Sequence, residues 1–90
     1  MLNTMQKFTK KSLLFDHILE ERGLREKYDR LAGEHEDAGM IDKAEAAYRR
    51  ACNAAARENA FICAAAIFLG LSGNDLEREL AIYDYERRFK

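Results

Sequence analysis

Ninety residues carry a net charge of −1 from 15 basic and 16 acidic side chains. That length makes one small domain, and that balance excludes a chain built around a strong positive field for phosphate neutralisation. Hydrophobic residues at 48% exclude intrinsic disorder, and the absence of proline with abundant alanine favours helix.

Residues 1–11 carry no clear hydrophobic period and read as a frayed N-terminal arm. Ser12 is placed to cap a first helix, from Leu13 to about Arg22, whose apolar face holds Leu14 and Ile18, with Phe15 and Leu19 as further candidates. Gly23 is the expected break. A second helix follows from Leu24 to about Ala38, with Leu24, Tyr28 and Leu31 at i, i+4 and i+7 on one stripe. Glu26–Arg30 and Arg25–Asp29 lie at i,i+4 and support it weakly. Gly39 is expected to end it by taking the left-handed conformation.

The third helix is expected to start at Asp42 as N-cap. Its stripe is Ile41, Ala44, Tyr48, Ala51 and Ala55, spaced 3, 4, 3, 4. The opposite face carries Arg50, Asn53 and Arg57. Two amphipathic helices joined by so short a loop predict an antiparallel helical hairpin, core 24–57, with alanines letting the backbones approach. Asn59 caps a fourth helix over Ala60–Leu71, or the third helix continues straight through. This apolar run of twelve residues is too short to cross a bilayer and reads as a central helix. No secretory leader is visible at the N-terminus, so a cytoplasmic, membrane-free chain is expected. "SGND", Ser72 to Asp75, marks a stop and restart, with Asn74 and Glu77 at capping-box spacing. The last helix, Asp75 to about Arg88, shows two stripes, Leu76/Leu80/Tyr83 and Ile82/Tyr85/Phe89. The fold class is therefore all-α: a small helical bundle of four to five helices built on the hairpin, one domain over residues 12–90.

Candidate chemistry is sparse. "GEHED", Gly33 to Asp37, places carboxylates around His35, but successive helix residues diverge by about 100°, so they do not converge on a metal. His35 instead extends the Leu24/Tyr28/Leu31 stripe. Cys52 and Cys63, about 16 Å apart on a shared helix, exceed disulfide reach and are expected as small, buried, reduced residues. The five glycines are scattered, so no phosphate loop forms. No nucleophile has an orienting base. No enzyme, cofactor or metal is expected.

The hairpin pattern has a further resemblance. Glu36 stands three before Gly39, Ala44 five after it, Tyr48 nine after and Ala51 twelve after, followed by Ala55 and Asn59. This resembles the AraC negative regulator (ANR) family and the related PerC-like proteins, small helical regulators of enteric bacteria, their plasmids and prophages. The match spans Leu31 to Ala66. Where the family commonly has tryptophan this chain has Tyr48, and Phe61 or Ile62 replaces a later one. A single tetratricopeptide repeat has nearly the same spacing, because a tight helical hairpin requires it. The family resemblance implies a repressor of virulence or transfer genes that binds an AraC-type activator, and also association with the nucleoid protein H-NS.

The expected function is accordingly a small cytosolic transcriptional regulator acting by protein contact on an AraC-type activator. A tetratricopeptide-like adaptor or chaperone-type scaffold is the alternative. Direct DNA binding is not expected. The candidate partner surface is Arg49, Arg50, Asn53 and Arg57. A thin core in so short a chain favours oligomerisation. A homodimer is expected, with Phe61, Ile62, Ile67, Phe68, Leu76, Leu80, Tyr83 and Tyr85 at its interface.

Overall fold

The structure, a computed structural model, describes residues 4–89, with side chains from Lys10 onward. Three helices account for them: α1 (Thr4–Asp37), α2 (Ile41–Leu69) and α3 (Gly73–Phe89). Among the described residues there is no strand. The expectation of four to five helices is therefore corrected to three longer ones.

The expected break at Gly23 is absent, since α1 runs through it. Of the two courses open at Asn59, the continuous one holds, and α2 runs through it. A lone glycine inside a helix costs only about 1 kcal/mol relative to alanine, which packing along a 34-residue helix overrides. The frayed arm is also corrected, since α1 is already helical at Thr4; residues 1–3 lie outside the described residues. Ser12 sits inside the helix and caps nothing.

Gly39 does end α1, and its φ of +76° shows why glycine is needed there. The Met40 amide donates to the His35 carbonyl at 2.8 Å and the Gly39 amide to the Glu36 carbonyl at 3.0 Å. This pair of bonds, reaching back five and three residues, closes the last turn as a Schellman motif. α2 opens at Ile41 with Met40 in the cap position and no side-chain cap, so Asp42 is not the N-cap. It lies in the first turn, where its charge complements the helix dipole.

α1 and α2 pack side by side in antiparallel order. Along one flank Lys10 lies over Phe68, His17 stacks on Phe61, Arg57 donates to Glu21, and Arg50 lies over Tyr28. Each forward step along α1, by seven, four and seven residues, is matched by an equal step back along α2. At about 1.5 Å per residue α1 is roughly 50 Å long, and it sets the 53 × 28 × 20 Å extents of the molecule.

The seam is rotated from the expected stripe. α2 buries Ala44, Ala47, Ala51, Ala54, Glu58 and Ala65. Ala44 and Ala51 are as expected, whereas Ile41 and Tyr48 are exposed and Ala55 is half-buried. Methyl side chains at the centre let the backbones close up, which displaces the larger side chains to the rims. Ala32 of α1 is fully buried and faces outward nowhere.

At the open end the core thickens. Phe15 and Ile18 of α1, Ala65 of α2, and Leu76 and Leu80 of α3 form one buried cluster. α2 ends at Gly70 in the left-handed conformation, and Gly73, also at positive φ, opens α3. The two helices meet at 100°, which turns α3 back across the pair. α3 starts ahead of the expected Asn74 cap, with the Leu76 amide donating to the Ser72 carbonyl. Among the described residues no single helix is long and apolar enough to cross a membrane.

Candidate partner-binding surface

An ion cluster around one buried carboxylate fixes the middle of the molecule. Glu58 of α2 occupies a seam position with its side chain only 6% exposed. Its Oε2 accepts from Arg22 Nε, while Arg25 Nη1 lies 2.9 Å from Oε1, close enough for an ion pair without an aligned hydrogen bond. Arg25 thus reaches across to α2 instead of pairing with Asp29 within its own helix. Arg22 also grips Glu77 of α3 through both terminal nitrogens. One side chain therefore ties all three helices together. The hydrogen bond to Glu77 raises the Arg22 pKa; burial opposes this and the bond to Glu58 adds to it. The same Arg22 contact holds Glu77 below the usual carboxylate range against the effect of its burial.

Further polar anchors hold α3 on α1. Lys11 Nζ donates to Glu79 at 2.9 Å and depresses the Glu79 carboxyl. The Tyr83 hydroxyl donates to Asp16 at 2.6 Å, and its ring meets Phe15 edge-on at 5.5 Å. Burial first, then this bond to Asp16, raises the Tyr83 pKa. Within α3, burial alone would raise Asp84, but Arg88 and Arg87 override it and hold it low. Between α1 and α3 lies an open groove of about 320 Å³. The Lys11–Glu79 pair lines it together with Ile82 and Tyr83.

The four residues expected to meet a partner, Arg49, Arg50, Asn53 and Arg57, are all exposed on α2. They do not form one uniform patch. Arg57 donates to Glu21 at 3.0 Å, and Arg50 lies 5.6 Å from the centre of the Tyr28 ring. These two belong to the flank that faces both long helices, whereas the helical spacing directs Arg49 away from α1.

The residues expected between two copies divide. Leu76 and Leu80 are each 1% exposed inside the single chain and belong to its own core. Phe61, Ile62 and Tyr83 are half-buried against that core. Ile67, Phe68 and Tyr85 are exposed, Ile67 at 77%. Ile82 and Phe89 complete an outer stripe on α3 with Tyr85. Of the two stripes read on this helix, one is core and the other is uncovered.

Cys52 and Cys63 are both exposed, which corrects their expected burial. They fall on the outer side of α2 because the seam follows Ala51, Ala54 and Ala65. Among the described residues no three His, Cys, Asp or Glu side chains are grouped to hold a metal.

Sequence reading missed Glu58, Arg22 and Arg25 as interior residues. The available signal was positional: Arg22 follows Phe15 and Ile18 by seven and four residues, and Glu58 follows Ala51 and Ala54 by the same intervals. Charged residues continuing an apolar heptad mark a polar seam position.

The arrangement defines three helices among the described residues, with an open groove between α1 and α3 and uncovered apolar side chains on α2 and α3. Comparison of the chain with protein-family models, with curated proteins and with solved structures finds no match in any of the three.

Proposed function

We propose that the chain is a small, non-enzymatic transcriptional regulator that acts by protein contact, binding and inhibiting an AraC-type activator in the cytoplasm. H-NS association and a homodimer belong to the same proposal. The observation that carries it lies at the α1–α2 turn. Glu36 and Tyr48, which stand three before and nine after Gly39, touch across the turn at 3.4 Å. Gly39 takes the left-handed conformation, and Ala44 and Ala51 are buried in the seam. Five of the positions that carry the resemblance to the ANR and PerC-like pattern, Glu36, Gly39, Ala44, Tyr48 and Ala51, thus have a physical task in this chain, whereas Asn59 lies exposed inside α2. Where a second copy docks, the exposed Ile67, Phe68 and Tyr85 are the residues available to it.

The experiment is a gel-shift titration of an AraC-type activator on its promoter DNA, with and without the purified chain. The expected outcome is release of activator from DNA while the chain alone leaves DNA unshifted at physiological salt. Tight, sequence-selective DNA binding by the chain alone, or an activator unaffected by excess chain, refutes the reading.

One observation favours the second reading, a tetratricopeptide-like adaptor. The outer stripe Ile82/Tyr85/Phe89 leaves α3 open for a neighbouring helix to stack on, as repeat units stack.

A further inference from the structure

α3 covers only one side of the α1–α2 pair. α1 meets it through the side chains of Lys11, Asp16 and Arg22 and the main-chain carbonyl of Ser12, with Phe15 in the shared core. The opposite flank of α1 carries Lys10, His17, Glu21 and Tyr28, none of which has a recorded bond or ring contact to α3. With 100° per residue, the two sets lie on opposite sides of the seam.

Resting on the protein-contact reading above, we propose that this opposite flank is a docking groove for one acidic amphipathic helix of a partner protein. Three features specify that occupant. The first is shape: the flank runs along two antiparallel helices packed side by side, and Leu24 and Leu31, on the same three-and-four spacing as Tyr28, are only half-buried along it. A helix with apolar residues at i, i+3, i+4 and i+7 fits such a flank.

The second is charge. The cross-helix pairs place Lys10, Arg57 and Arg50 along the flank, with the imidazole of His17 between the first two. The one carboxylate in those pairs, Glu21, is already engaged by Arg57. Lys10 and Arg50 are exposed residues whose cationic groups lie over aromatic faces at 5.1 and 5.6 Å, where a carboxylate of a partner can reach them. The third is length. From Arg50 to Phe68 the flank runs about 27 Å, the rise of an 18-residue helix. Phe68, exposed at the far end, offers the apolar stop.

The test uses the full chain and two labelled 18-residue peptides. Both carry leucines at helical spacing; one has glutamates flanking them and the other lysines. Fluorescence anisotropy at low and moderate salt should show the glutamate peptide binding at least about tenfold more tightly than the lysine peptide. Arg50→Glu and Lys10→Glu should each abolish that preference while the chain still melts cooperatively, with the midpoint lowered by no more than about 8 °C for the lost ring contact. Failure of the glutamate peptide to bind, equal binding of both peptides, or indifference to these substitutions overturns the groove. A dimer that Arg50→Glu converts to monomer also overturns it, in favour of a second copy as occupant. The two readings fail separately. An AraC-type activator that still binds the Arg50→Glu chain removes the groove and leaves the activator reading. Peptide binding in the groove without activator binding does the reverse.

Discussion

Glu58 decides how the two long helices hold register, and its removal can be worked through. Breaking a fully buried ion pair from one side costs about 3–5 kcal/mol, because the surviving charge is stranded. Here the survivors are less confined: the Arg22 and Arg25 side chains are 23% and 37% exposed, and Arg22 keeps Glu77. Water and Glu77 recover part of the loss, so Glu58→Leu should cost about 2 kcal/mol. Arg22→Leu should cost about 3 kcal/mol, because it leaves the buried Glu58 with Arg25 alone and also frees Glu77 from its partner. For a domain of this size about 4–8 °C of melting midpoint is lost per kcal/mol. The single variants should therefore melt roughly 10–20 °C below the parent.

The double variant Arg22→Leu/Glu58→Leu distinguishes attraction from mere occupancy. It replaces a pair of charges by two apolar side chains in a seam that is otherwise alanine, phenylalanine and isoleucine. Such replacements are often neutral or stabilising, so the double variant should lie within about 1 kcal/mol of the parent. Urea and thermal melts followed by circular dichroism complete the cycle. Losses that simply add in the double variant would falsify the coupling of the two residues, and an unchanged midpoint for Glu58→Leu would show that the seam carries no ion-pair constraint.

Ala44→Leu and Ala51→Leu should each overpack the seam, at a cost of about 1–3 kcal/mol in urea melts, whereas Tyr48→Phe, on the rim, should stay within about 0.5 kcal/mol. Leu80→Asp should abolish cooperative melting, since it puts a charge into the core of one chain; a folded monomer carrying it would contradict the placement of Leu80. The depressed Glu77 and Glu79 carboxyls set the acid response: their contribution is present above the ordinary value of 4.5 and is lost as pH falls through their lower folded values. Loosening of α3 should therefore be seen by NMR below about pH 4.5, and Arg22→Leu should remove the Glu77 share of it. Tyr83 and Tyr48 are shifted the other way, Tyr83 by burial and Asp16, Tyr48 by the Glu36 charge. Their contribution is present below the ordinary value of 10.0 and is lost as pH rises through the folded values. Phenolate absorbance should show Tyr48 and Tyr83 titrating late, and Tyr83→Phe should delete one late step.

Local chemistry was legible wherever the backbone had to do something unusual. Gly39 was read as the end of a helix because a left-handed residue followed by a short turn leaves few alternatives to glycine, and its φ is positive. Gly23 was read as a break and Asn59 as either a cap or a helix interior, and both sit in continuous helices. What overrides them is tertiary: each lies midway along a helix whose neighbours on both sides are already pinned across the seam, so a break would forfeit packing at both ends for a gain of about 1 kcal/mol. The face of α2 was read one step off for a similar reason. Tyr48 and Ile41 have the larger hydrophobicity, but the backbone separation was set by Ala47, Ala51 and Ala54, and a close seam has no room for a ring. Of the site residues, the exposure of Arg49, Arg50, Asn53 and Arg57 was visible from spacing. The division of the final helix into one core stripe and one open stripe needed the third dimension, because two stripes on a helix do not say which one its own chain covers.

The seam changes chemistry along its length, and that change explains where α3 goes. Near the turn it is alanine, and the helices are too close to leave volume for a third element between them. At Glu58 it becomes ionic, with Arg22 and Arg25 spacing the backbones. Beyond that, Phe15, Ile18 and Ala65 leave a wide cleft that two helices cannot close. Leu76 and Leu80 fill it, so the chain must turn back at Gly70, just past this cleft, and the 100° bend delivers α3 onto it. At 17 residues α3 is roughly 26 Å long. It approaches α1 through Lys11, Ser12, Asp16 and Arg22, all in the half of the pair away from the turn. On the opposite flank, Arg50 lies over Tyr28 at the turn end and Phe68 stands at the other. A partner helix laid there would cover the side of the pair that this chain's own third helix leaves open.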